Sequence, residues 1–200
     1  MKRLFLLMIT LCFMQGVSAQ EAVDLGLSVD WAAYNIGAES IEDGGKLYLV
    51  GTDIECVAGK NYRGVNLPIH KVDFSGNPVL DLSTRTWGEN WRTPTSSEWN
   101  ELITRCSWRY YEYVNDAGIK CYGYEVTGPN GNSIILPSNN PMNPMNPIYG
   151  WYQCSTPKYG SKKMATMIFS PKAVRVFFWK YTNMYSMSLG AAYRPVIDKE

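Results

Sequence analysis

Histidine is almost missing from this chain. The one present, His70, sits in a poorly patterned stretch with no motif around it. Nucleophilic catalysis by Ser, Cys or Thr needs a positioned base, commonly His, and the sequence offers His70 no partner. Paired cysteines of the CxxC type are also lacking, so a zinc site of Cys and His is not expected. Carboxylates are scattered rather than clustered. Glu42, Asp43 and Asp81 fall in loops, where solvated acids are the ordinary case. Calcium takes about six to eight oxygen ligands, and Gly128-Pro129-Asn130-Gly131-Asn132 supplies amides with no acid beside them. We therefore expect no catalytic centre, no metal and no cofactor.

Two further shortages narrow the partners. No consecutive block of like charge appears, whereas nucleic-acid affinity rests on a basic patch that neutralises phosphates. The same shortage argues against an electrostatic membrane footprint. After the first nineteen residues no apolar run approaches the length of a membrane span.

Those nineteen residues form a three-part pattern. Lys2 and Arg3 carry charge, Leu4 to Met14 is apolar, and Val17-Ser18-Ala19 offers small residues before a cut at Gln20. This reads as a secretory signal peptide over residues 1–19. Leu11 is too bulky to precede a lipid-modified Cys12, so no lipid anchor is expected. Residues 20–200 then form a single domain in an exported protein, at the periplasm, outer surface or extracellular space. Loss of Lys2 and Arg3 leaves 17 basic against 18 acidic residues and a net charge of about −1. Four cysteines remain: Cys56, Cys106, Cys121 and Cys154. An even count in an exported chain permits two disulfides, with three connectivities open; free thiols acting as small hydrophobes are the alternative.

What is present is mostly β and loop. Val23, Leu25, Leu27, Val29 and Trp31 alternate with polar or small residues, predicting one half-buried strand. Lys46–Val50 is a second, short strand. Thr52 to Ser83 is weakly patterned and reads as a long irregular loop, with Val65 to Val72 mildly apolar. The best helix start follows. Thr95 can cap, Glu98 completes a capping box, and Trp99, Leu102, Ile103 and Cys106 make one apolar stripe. Tyr122 to Val126 and Ser133 to Leu136 flank a turn at Gly128–Gly131 as a hairpin. Asn139 to Pro147 is a Pro-rich extended loop. Met164–Phe169 and Val174–Lys180 form a second hairpin. Its Val174, Val176 and Phe178 share one face; Arg175, Phe177 and Trp179 share the other. Ser188–Ile197 is the last strand, with Pro195 marking an edge or end.

The stretches VDLGLSVDWAAYNIGA (23–38), NWRTPTSSEWNELI (90–103), GPNGNSIILP (128–137) and YRPV (193–196) occur in this order. Together they resemble the Fibrobacter succinogenes major paralogous domain group of exported Bacteroidetes and Fibrobacter proteins. That resemblance implies an α+β, C-type lectin-like fold: compact antiparallel sheets, one main helix at about 95–106, long loops, and N- and C-terminal strands paired. It implies framework roles for Trp91, Arg92 and Trp99, and buried, hydrogen-bonded guanidinium groups at Arg92 and Arg194. Relatives often carry a Gly-rich, Tyr-Trp-Ser segment where this chain has the Asn-Pro-Met repeat and GWYQCSTP. Tyr34 stands where many have Cys. The calcium motifs of sugar-binding C-type lectins are absent.

The ligand face is expected in the C-terminal third, at Trp151, Tyr152, Tyr159, Trp179, Tyr181, Asn183 and Tyr185. Tyr and Trp give large, stiff contact area with a polar handle. The expected function is a non-catalytic binding module for a glycan or protein on a surface. The alternative is a structural or adhesive surface subunit that self-associates.

Overall fold

The computed structural model describes residues 21–49, 52–57, 60, 62, 65, 72–114, 118, 120–139, 148–161, 163–180 and 190–199. Residues 1–20, His70, most of the Val65–Val72 stretch, most of the Asn-Pro-Met repeat, and Tyr181, Asn183 and Tyr185 lie outside them.

The chain is mostly antiparallel sheet with few helices. Its elements are β1 (Ala22–Val23), β2 (Val29–Ala32), β3 (Leu47–Leu49), α1 (Leu82–Trp87), α2 (Ser96–Arg105), β4 (Ser107–Val114), β5 (Lys120–Thr127), β6 (Ser133–Pro137), β7 (Gly150–Pro157), β8 (Lys163–Ser170), β9 (Ala173–Lys180), β10 (Gly190–Ala192) and β11 (Val196–Asp198). They form three sheets, ordered β1-β2-β11, β3-β10-β7-β8-β9 and β4-β5-β6. Among the described residues the single parallel contact is β10 on β7.

The first and last strands pair as expected, with Val196 opposite Trp31 and Asp198 opposite Val29. The expected nine-residue strand at 23–31 is corrected, because Val23 itself pairs with Trp31. Between them Gly26 takes φ 73°, a left-handed conformation open to glycine, and its N–H donates to Asp24 Oδ1. The alternation survives as burial: Leu25, Leu27, Val29 and Trp31 are all buried.

α2 begins where the sequence places it. Thr95 accepts from the Glu98 N–H, and Glu98 Oε2 accepts from the Thr95 N–H at 2.7 Å. Trp99 and Leu102 are fully buried. The Trp99 ring lies 4.6 Å from Trp31 and 5.6 Å from Tyr152, and its Nε1–H donates to Gln153 O. The helix thus rests on β7, and the core forms where it meets the sheets.

Two strands and one short helix lie where none is predicted. β4 runs beside β5 over all eight residues. β7 occupies the middle of the five-stranded sheet. α1 is capped by Asp81, which corrects the reading of that residue as a solvated loop acid. Asp81 is fully buried and accepts from the N–H groups of Gly76, Ser83 and Thr93. The expected last strand is split into β10 and β11, which belong to different sheets.

The split follows from Arg194. Its guanidinium is fully buried. Nε donates to Asn35 Oδ1 at 2.7 Å, Nη1 to Ala32 O and Ala33 O, and Nη2 to Ile135 O at 2.7 Å. One planar head therefore ties three segments together, using the fork of donors that only arginine has. Burial lowers its pKa to about 10, which leaves it charged at neutral pH.

Candidate functional site

The four stretches behind the resemblance touch one another. Arg92 and Val196 exchange backbone hydrogen bonds at 3.0 and 2.9 Å, joining NWRTP to YRPV. Asn130 and Asn132 side chains both donate to Asp24 O, joining GPNGN to VDLGL. A Cβ on Gly128 would sit 2.0 Å from Leu25 O, so only glycine allows that approach. The amides that might have served a ligand are spent on the framework.

In the cleft beside this framework both cations are paired. The cleft encloses about 570 Å³ between the chain ends and the start of NWRTP, with Asp30, Glu89, Asn90, Arg92, Asp198 and Lys199 on its walls. Arg92 Nη2 meets Glu98 Oε1 at 2.6 Å and Asp198 Oδ1 at 2.5 Å. Lys199 Nζ meets Asp24 at 2.6 Å and reaches ion-pair distance of Asp30 at 3.4 Å. The resemblance implies a buried, hydrogen-bonded Arg92; the side chain is hydrogen-bonded but only partly buried, at 16 % exposed.

The expected ligand residues separate. Tyr152 is a correction: it is 0 % exposed, packs between Trp99 and Phe169, and donates its hydroxyl to Pro137 O at 2.6 Å. Burial pushes that hydroxyl up to about 12. It is core and offers no surface. Trp151 is half-buried and packs on a small cluster of Phe74, Met164 and Ala191. Tyr159 stands at the β7–β8 turn and is 97 % exposed. Trp179 lies on β9, opposite Met164.

β9 ends the five-stranded sheet, so one of its edges carries no partner strand among the described residues. Val174, Val176 and Phe178 pack toward the core and α2. On the opposite face Phe177 is 41 % exposed, and the Arg175 guanidinium lies 5.7 Å from its ring. Lys158, beside Tyr159, lies 5.9 Å from the Phe178 ring. Beneath Phe177, in register across β8 and β7, come Thr166 and Gln153. Both are buried, and Thr166 Oγ1 and Gln153 Oε1 have no hydrogen-bond partner among the described residues.

Compared with protein-family models, curated proteins and solved structures, the chain matches none. The site is therefore argued from its own residues.

Sequence reasoning missed two features. One is a tyrosine ladder on β4 and β5. Tyr110 and Tyr122 stack at 5.9 Å, Lys120 sits 5.5 Å from the Tyr122 ring, and Lys120 pairs with Glu112. On the other face Tyr113 donates to Glu42 O, and Tyr111 lies beside it at 5.4 Å. The other missed feature is charge. No consecutive run of like charge exists, yet between Val126 and Ile197 there are seven basic residues and no Asp or Glu. Counting over that whole span would have found it.

The cysteines do not form bridges: among the described residues no disulfide is present. Burial pushes Cys56 up to about 12 and Cys106 up to about 11, and raises buried Cys154 well above the usual thiol value. Such thiols are poor nucleophiles near neutral pH. No helix among the described residues is long and apolar enough to cross a membrane.

Proposed function

We propose that the chain is an exported, non-catalytic binding module that engages a glycan or protein ligand through the aromatic C-terminal third. The observation that carries this reading is the rim of β9 and the β7–β8 turn. There Tyr159 and Phe177 stand out from the fold, whereas single rings of that size are ordinarily buried. We read the architecture as C-type lectin-like, supported by the pairing of β2 with β11 and by one capped helix docked on a compact sheet. The raised pKa values of the cysteines support the non-catalytic part.

A glycan array probed with the protein tests the reading. Specific binding that falls in Tyr159→Ala and Phe177→Ala supports it; binding unchanged by both substitutions moves the site elsewhere. Export is checked by sequencing the N-terminus of secreted protein, which is expected to begin at Gln20.

A second reading has its own observation. β4 presents eight residues whose outer edge is unpaired among the described residues, and such edges invite pairing with another chain. On this reading the protein is a structural or adhesive surface subunit. Silence on the array together with concentration-dependent self-association in light scattering favours it.

A further inference from the structure

We infer that the β9 rim is built for a polyanionic chain, and that its occupant is a carboxylated polysaccharide. The inference rests on the reading of this region as a binding surface, and adds the charge and chemical class of the ligand.

Lys46, Arg85, Arg92, Arg105, Arg109, Lys120 and Lys199 each lie within ion-pair distance of a carboxylate. Lys158, Lys163, Lys172 and Arg175 do not. Among the described residues no carboxylate lies within ion-pair distance of any of the four, and two of them sit over aromatic rings instead. The reason is compositional, since the span that builds β6 to β10 contains no acid at all.

The layout selects a linear ligand. Lys172 lies in the β8–β9 turn, Arg175 and Phe177 follow along β9, and Lys158 and Lys163 lie at the far end, where β7 turns into β8. Eight strand residues span about 26 Å at about 3.3 Å each, longer than one small anion can bridge. Because β9 is the edge strand, side chains on both its faces border the same rim. Cations spaced along a rim suit charges repeated along a polymer. Tyr159 and Phe177 between them offer flat apolar surfaces for the C–H faces of sugar rings. Nucleic acid fits less well, because about six to ten phosphate contacts are usual there. A bilayer would want a contiguous apolar patch, and here Arg175 lies over the exposed Phe177 ring and Lys158 stands beside Tyr159.

The test uses the full protein in calorimetry and affinity electrophoresis with four probes: polygalacturonate, the same polymer fully methyl-esterified, poly-glutamate, and phosphatidylglycerol vesicles. Polygalacturonate is expected to bind, and to weaken as salt screens the contact. Methyl esterification is expected to cost roughly tenfold or more, and Lys158→Glu/Lys163→Glu or Arg175→Glu a similar factor each. Tyr159→Ala is expected to weaken binding while leaving its salt dependence in place. These side chains are surface-exposed or at a turn, and thermal melting of each variant checks that the fold is intact. Equal binding of the esterified polymer would overturn the charge inference while leaving glycan binding standing. Poly-glutamate or vesicles bound as well as polygalacturonate would overturn the polysaccharide assignment. Absence of binding to polygalacturonate alongside hits on neutral glycans would sink this inference alone; silence toward every carbohydrate would sink it together with the glycan arm of the parent reading, leaving a protein ligand.

Discussion

Around α2 and the chain ends, cations finish on carboxylates: Arg92 on Glu98 and Asp198, Arg105 on Glu101, Lys199 on Asp24. Along β9 and the β7–β8 turn, Arg175 and Lys158 sit over ring faces, and no carboxylate among the described residues lies within ion-pair distance of Arg175, Lys158 or Lys163. Both regions are built from strands on the same core, so packing does not force the difference. A paired cation holds a fold in register; an unpaired one leaves its charge available to something outside. On the proposed reading, framework falls at one end of the molecule and recognition at the other.

Breaking the framework should show the largest effects. Arg194→Met leaves the Ala32, Ala33 and Ile135 carbonyls and Asn35 Oδ1 without their donor, and is expected to lower stability in urea unfolding by about 1–3 kcal/mol for each acceptor left unsatisfied. A loss under 1 kcal/mol would mean that the three segments do not depend on that head group. Gly128→Ala drives a methyl into Leu25 O and should cost about 1–3 kcal/mol. Thr95→Ala removes the helix cap and should cost about 1 kcal/mol.

A smaller effect should depend on pH. Partial burial pushes the Glu101 carboxyl up, but hydrogen bonds from Ser28 and the contact with Arg105 outweigh it, and the net shift is downward. A folded pKa below the unfolded one gives stability that is present above the ordinary carboxyl value of 4.5 and lost as pH falls through the folded value. Urea midpoints at pH 7 and pH 3 should therefore differ less in Glu101→Gln than in the parent. The smallest effect belongs to the other end. Lys158→Glu is expected to leave the urea midpoint where it was, since no carboxylate partner is lost. A clear drop in that variant would blur the division between the two ends.

Legibility in the sequence followed the same division. α2 could be read because its cap, its Glu98 and its apolar stripe each appear at fixed spacing. The pairing of β2 with β11 came through resemblance rather than pattern. The turn at Gly26 was hidden, because the alternation that marks a strand also fits a bent segment whose apolar side chains all face the core. β4 was hidden for a different reason. In SWRYYEYV both faces carry rings, so period two is lost. β7 is buried on both faces and shows no alternation either. α1 is one and a half turns long, too short for a helical period to register. Tyr159 and Tyr152 were expected together on the ligand face, yet Tyr159 is exposed and Tyr152 is core. The two differ by where the β7–β8 turn falls, which neighbouring residue types do not specify. The charge asymmetry was present all along, spread over too long a span to look like a run.

Amide hydrogen exchange of the full protein, with and without polygalacturonate, tests the central division most directly. Protection is expected to rise at the β7–β8 turn, residues 157–163, and along β9, residues 173–178, while α2 and the β2–β11 pair stay unchanged. Protection appearing instead on β4 and β5, or around the Arg92 cleft, would contradict it.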